Sequence, residues 1–216
     1  EGWSDWYALM FTMEAGDSGS QSRGIGNYLF GQGTNGGGIR PAPYSTNFAV
    51  NNYTYQRTRT QAVPHGVGFV WATILWEVTW DMMDAYGFEP NIWDPTGTAG
   101  NIVMLNLVTE GLKLQPCSPG FVDGRDAILA ADVALYGGIH TDQLWAAFAR
   151  RGLGLGADQG SSSTNSDNTE SFIEPEQVPP APVTDLAAAP ASLGIELTWT
   201  ATGDDGTVGT AASYDI

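Results

Sequence analysis

The sequence predicts a mainly α domain followed by a linker and the opening of a small all-β module. Three observations predict this. Apolar residues recur at three- and four-residue spacing in five separate stretches before Gly152. After Gly156 the composition turns to Ser, Pro and acidic residues. Beyond that, Ile195-Glu196-Leu197-Thr198-Trp199 alternates with a period of two, as a strand does.

The first helix is expected over residues 1 to about 14, where Trp3, Trp6, Tyr7, Met10 and Met13 share a face. On it Glu1 and Asp5 are four apart and lie one above the other, a repulsion of about 0.2–0.5 kcal/mol on an exposed helix. A positive group beside them, such as a metal ion with its histidine ligands, would relieve it. Ala15 to Pro64 follows as a long segment rich in Gly, Asn, Ser and Thr, and loops of that length are usually functional. Within it the prolines of Ile39-Arg40-Pro41-Ala42-Pro43 restrict the backbone, so Arg40 sits on a constrained loop.

His65 falls at or just before the N-terminus of the strongest helix. Val67, Phe69, Val70, Trp71, Ile74, Leu75, Trp76, Val78, Trp80, Met82 and Met83 make that helix apolar nearly all round, which places it in the middle of a domain. Glu77 inside it needs an arginine partner or a place at the rim, and no chemistry is assigned to it. Further helices are expected over Gly100 to about Leu114, over Asp123 to Tyr136, and from a Thr141 N-cap to Arg150-Arg151-Gly152. His140, just before that cap, reads as structural. The organisation is therefore a helical domain over 1–157, a Ser/Pro-rich acidic linker over 158–182 and a truncated β module over 183–216. In the last piece Val183 to Leu186 is the first strand, and Thr202-Gly203-Asp204-Asp205-Gly206 turns towards a third.

Lys plus Arg number 8 against 24 Asp plus Glu, a net charge of −16. That excludes a basic nucleic-acid-binding face and suits a soluble protein with weak affinity for cations. The apolar run Gly66 to Trp76 is too short for a membrane span. Cys117 is the single cysteine, expected as a buried or otherwise free thiol. The chain opens on Glu1 and not on Met and stops at Asp215-Ile216, as a fragment would.

Taken in order, Glu1-Gly2-Trp3-Ser4-Asp5, Ile39-Arg40-Pro41, Pro64-His65-Gly66-Val67-Gly68, Phe121-Val122-Asp123-Gly124-Arg125-Asp126-Ala127 and Trp145 to Gly154 closely resemble the secreted fungalysin metallopeptidases. These are extracellular zinc endopeptidases related to thermolysin. The resemblance covers residue 1 to about 165, and the tail from Val183 resembles the start of a fibronectin type III module. It implies the helical C-terminal lobe of a thermolysin-like catalytic domain, then an incomplete sandwich of a fold that needs about 100 residues. It further implies Zn²⁺ as cofactor, a protein or peptide substrate and an extracellular location.

By the same resemblance Glu1 is a zinc ligand and Asp5 orients a zinc-bound histidine from behind. His65 stabilises the oxyanion of the tetrahedral intermediate, and Arg40 lies near the substrate carbonyl. These residues should face one cleft, with Glu1 and His65 about 10 Å apart, the reach of a metal and a bound peptide group. The Gly-rich stretch 16–39 is expected to border that cleft. The family's H-E-x-x-H, which carries two histidine ligands and the general base, is absent from these 216 residues. One expected ligand of three is present, so the chain by itself should be inactive, and Cys117 has no family disulfide partner here. The alternative is a non-catalytic secreted binding or adhesion protein that carries a degenerate peptidase lobe. Peptide-bond preference and calcium binding have no signature in the sequence.

Overall fold

A computed structural model describes residues 1–161, 163–175, 182–191 and 194–200. The helices of the first compact unit, Glu1–Glu174, are α1 (Gly2–Met10), α2 (His65–Tyr86), α3 (Gly100–Leu114), α4 (Phe121–Tyr136) and α5 (Thr141–Arg150). Apolar on every side, α2 needs partners on every side. Fifteen of its 22 residues are buried, and α1, α3 and α5 pack directly on it while α4 packs chiefly on α3 and α5. The predicted central helix is thus the centre of the domain.

Several polar groups inside this core are paired, while the indole N–H groups of Trp71, Trp76 and Trp80 have no partner among the described residues. Trp6 Nε1 donates to Thr79 Oγ1 at 2.8 Å, and that hydroxyl donates to the Leu75 carbonyl at 2.7 Å. Asn51 Nδ2 donates to Thr73 Oγ1 at 3.1 Å. Glu77, only 3 % exposed, meets two arginines. Its Oε1 accepts from Arg150 Nη1 at 2.9 Å, and its Oε2 accepts from Arg151 Nε at 2.8 Å. Of the two expected positions for Glu77, the arginine-paired one holds and the rim does not.

Three element ends differ from expectation. The first helix stops at Met10 instead of about residue 14 because the Thr12 hydroxyl turns back and donates to the Ala8 carbonyl at 2.8 Å. This competes with continuation of the helix. At the other end of the chain of helices, α4 begins two residues earlier than Asp123. Asp123 Oδ2 accepts the Gly120 N–H at 2.9 Å and caps that start. Thr141 is the first residue of α5 and not its cap. Asp132 of α4 does the capping, its Oδ2 accepting the His140 N–H at 3.0 Å and the Thr141 hydroxyl at 3.2 Å. The same carboxylate holds His140 Nδ1 at 2.6 Å, and Tyr86 and Tyr136 meet that ring edge-on at 5.0 Å each. His140 is structural.

The compact unit runs past the expected boundary at 157 to Glu174. Asn165 Nδ2 donates to the Thr58 carbonyl at 2.7 Å, and Asp158 and Thr169 exchange backbone hydrogen bonds, so this polar stretch lies against the 55–61 segment. Cys117 is free and exposed.

The second unit, Pro175–Ile216, contains β1 (Ala187–Ala191) paired antiparallel with β2 (Gly194–Thr198), with Ala187 opposite Thr198. The expected strand at Val183–Leu186 is not one, and pairing starts at Ala187 instead, because the register with Thr198 begins there. Every described residue of both strands is exposed. Among the described residues of this unit the sheet has these two strands. The expected turn at 202–206 and the third strand lie outside the described residues. Among the described residues no helix is long and apolar enough to cross a membrane.

Candidate functional site

The site lies where α1 and α2 cross at their N-termini. Gly2 and Gly68 make the crossing possible. A Cβ added to Gly68 would sit 2.7 Å from Glu1 Cβ and from the Gly2 nitrogen, and one on Gly2 would run into the Gly68 carbonyl. The two backbones therefore touch, and this contact sets Glu1, the residue before α1, beside His65 at the head of α2. A long glycine-rich segment delivers the third member. Arg23 and Tyr44 exchange backbone hydrogen bonds of 2.9 and 2.7 Å, and the prolines between Arg40 and Tyr44 carry the chain back over α1.

Arg40 closes onto both acids. Its Nε donates to Asp5 Oδ2 at 2.6 Å and its Nη2 to Asp5 Oδ1 at 2.8 Å, a two-point pair matched to the guanidinium fork. Nη2 also reaches Glu1 Oε2 at 3.1 Å. The Tyr44 hydroxyl adds a third donor to Asp5 Oδ2 at 2.5 Å. The stacked carboxylates expected from the sequence are real neighbours, and the positive charge that relieves them within this chain is Arg40. The Asp5 side chain is 6 % exposed and that of Arg40 8 %, so their attraction is little screened. The bond to Asp5 holds the Arg40 guanidinium charge well above its usual range, and burial, then the Asp5 charge, push the Tyr44 hydroxyl up.

His65 completes the group. Its Nδ1 lies 3.2 Å from Glu1 Oε2, and two-thirds of its side chain is exposed. Hydrogen bonds from His65 first and Arg40 second hold the Glu1 carboxyl below the usual carboxylate range. The expected separation of about 10 Å is corrected to direct contact. Glu1 is the N-cap residue of α1, and the Gly2/Gly68 contact sets it directly against His65 at the head of α2. Glu1, Asp5, Arg40 and His65 do converge, and Arg40, Pro41, Ile39 and His65 line one shallow cavity of about 360 Å³. Of the glycine-rich stretch 16–39, only Ile39 reaches that cavity; residues 27–36 fold on themselves, with Asn27 Nδ2 donating to the Gly33 and Thr34 carbonyls at 2.9 and 3.1 Å, while Gly19 and Arg23 pair with Thr46 and Tyr44.

A carboxylate offers about four acceptor positions. Asp5 has three filled, which leaves one for a further donor. Glu1 has both of its contacts on Oε2, so Oε1 is open among the described residues. That oxygen suits one bond to a hard or borderline cation. Among the described residues no group of three or more His, Cys, Asp or Glu side chains is arranged to hold a metal ion. Sequence reasoning missed Tyr44 and the Gly2/Gly68 contact. Both glycines stand inside helical patterns, where glycine is costly, and that was the available signal.

The chain matches the family described as fungalysin metallopeptidase (M36) over residues 1–157. It is 43% identical over 183 residues to an extracellular metalloproteinase of Fusarium vanettenii, covering 82% of this chain and 28% of that protein. An extracellular metalloproteinase of Aspergillus fumigatus is 41% identical over 165 residues, covering 74% and 26%. Extracellular metalloproteinase 2 of Arthroderma otae is 40% identical over 169 residues, covering 76% and 26%. The chain thus spans about a quarter of the length of the curated relatives it matches.

Proposed function

The chain belongs to the fungalysin metallopeptidase family, and from that premise we propose that it forms the helical wall of the active-site cleft in a secreted zinc endopeptidase. The observation that carries this reading is the convergence of Arg40 and His65 on the Glu1 carboxylate at a helix crossing. In this reading residues 1–157 belong to the catalytic domain, 158–182 connect it onward with the part up to Glu174 packed in the same compact unit, and 183–216 begin a fibronectin type III-like module. Substrates are proteins or peptides, and the extracellular location follows the names of the relatives.

Glu1 Oε1 would hold zinc as one ligand, and the site would need further ligands and a general base that the described residues do not supply. Zinc, when bound, supplies Lewis-acid polarisation of the scissile carbonyl and activation of water. The other steps belong to this chain. Arg40 fixes Asp5 and Glu1 in place and lines the cavity that would receive the carbonyl side of a peptide. His65, exposed at the cleft, donates a ring N–H to negative charge developing on the scissile oxygen. One such donor typically lowers the barrier by about 3 kcal/mol. Asp5 keeps one acceptor position for a zinc-bound histidine and so holds its tautomer.

The test uses the full-length secreted protein and a casein or peptide substrate. A chelator should abolish cleavage and added zinc restore it, while Glu1→Gln should lower zinc retention on dialysis. Cleavage that survives complete zinc removal would overturn the reading.

A further inference from the structure

A second cavity lies on the other flank of the α2 N-terminus. The segment 61–67 divides two pockets: Gln61, Ala62, His65 and Gly66 line the Arg40 side, and Val63 and Val67 line a cavity of about 280 Å³. Its apolar surface is Val63, Val67 and Phe121 with Tyr55, and its rim is uncharged, formed by residues such as Ser161 and Asn165. No Asp, Glu, Lys or Arg lines it among the described residues.

Tyr55 makes this more than a dent in the surface. It is 2 % exposed and its ring stacks on Phe121 at 5.0 Å, yet its hydroxyl has no hydrogen-bond partner among the described residues. The hydroxyl is not one of the enclosed polar atoms left without a partner, so it opens on the cavity that Tyr55 lines. The buried polar groups beside it are engaged. Thr58 Oγ1 donates to the Tyr55 carbonyl at 3.0 Å, and Asn168 Nδ2 donates to the same carbonyl at 3.3 Å. Tyr55 therefore presents a vacant donor at the wall of an apolar, uncharged, side-chain-sized hollow that is separated from His65 by one residue of chain.

We propose that this cavity is an outlying peptide subsite that takes an uncharged apolar side chain of leucine size, with a peptide carbonyl accepting from the Tyr55 hydroxyl. The assignment rests on the cleft reading above for its occupant, an extended peptide that already lies against His65. Continuity through Val63-Pro64-His65 lets one extended strand, at about 3.3 Å per residue, reach from the cleft into the cavity. The absence of lining charge selects against Asp, Glu, Lys and Arg at that position, since an ion there would be desolvated without a partner.

The experiment uses the full-length zinc-loaded protein and two series of peptides that extend a cleaved core by one to four residues at one end or the other. Each added position carries Leu, Gly or Asp. Wild-type protein should prefer Leu to Gly about tenfold in kcat/KM at one position of one series, and reject Asp there. Val63→Trp, a change at an exposed residue that fills the cavity, should bring the Leu/Gly ratio close to one. Tyr55→Phe, which keeps the ring stack, should reduce the ratio severalfold. In parallel, binding of the fluorescently labelled Leu peptide to zinc-free protein is measured for the same variants. Equal Leu/Gly ratios in wild type and Val63→Trp would overturn the subsite while leaving the peptidase reading intact. Absence of cleavage together with Leu-selective binding lost in Val63→Trp would overturn the peptidase reading and retain the subsite. Absence of both overturns the two together.

Discussion

Two arginine–carboxylate clusters stand at the two ends of this domain's logic, and they use the same chemistry differently. Around Arg151 everything is closed. Its side chain is fully buried, with Nε and Nη2 on Glu77 Oε2, Nη1 on the Asn51 carbonyl at 2.7 Å and Nη2 on the Ser45 carbonyl at 3.0 Å. The guanidinium carbon also lies 3.9 Å from the Phe48 ring centroid. Around Arg40 the same fork is closed on Asp5 and open towards Glu1, whose Oε1 and whose neighbour His65 face outward. A closed cluster stores all its interactions in the fold, whereas an open one keeps acceptors and donors for something that arrives. The buried cluster also holds the loop that carries Arg40, through Ser45 and Asn51. Its rigidity is what the open site draws on.

The contrast is broken most strongly at Arg151. Arg151→Ala leaves the Glu77 carboxylate buried beside a partly exposed Arg150 and should cost about 3–5 kcal/mol in urea unfolding. Lys at 151 should not restore it, because an ammonium cannot span Glu77 and the carbonyls of Ser45 and Asn51 together. Arg150→Ala, at the rim of the same cluster, should cost about 1 kcal/mol or less.

At the open cluster the effects should change from stability to rate. His65→Ala in the full-length enzyme is expected to lower kcat on the order of 10²–10³-fold, with unfolding changed by no more than about 0.5 kcal/mol. Loss of fold in that variant would make His65 a second closed residue and remove the distinction.

The crossing that brings the two helices together can be tested without touching either charge cluster. An alanine at Gly68 would gain about 1 kcal/mol of helix propensity. It would also drive a methyl into Glu1 and the Gly2 backbone, and overpacking against backbone costs about 1–3 kcal/mol. Net destabilisation and faster zinc loss to a chelator are expected, while Gly33→Ala, with open space around it, should leave both unchanged. Tyr44→Phe tests the closed side of the open cluster. It removes one of three donors to Asp5 while the Arg40 fork remains, so about 1 kcal/mol should be lost on unfolding.

Much of the fold was legible because its signals are local. The period of apolar residues located all five helices, and the all-round apolarity of α2 placed it at the centre. Element ends were less legible. The Thr12 hydroxyl that stops α1 acts on its own last turn, but the Asp132 that caps α5 belongs to the preceding helix. The family resemblance singled out Glu1, Asp5, Arg40 and His65 and expected them on one cleft; the fold adds which of their atoms meet. Tyr55 gave no sign at all, since an unpaired hydroxyl exists only once its surroundings are built.

By itself, then, the sequence determined what each segment is: helix, loop or strand, apolar or charged, and which family pattern it carries. Those properties depend on residues within a turn or two of one another. Tertiary structure decided which charges meet. Arg40 finds Asp5 across 35 residues and Arg151 finds Glu77 across 74, and Gly2 touches Gly68 because two helices cross where neither bears a side chain. An ion pair's role depends on burial and on the acceptors left vacant, and both are properties of the packed chain alone.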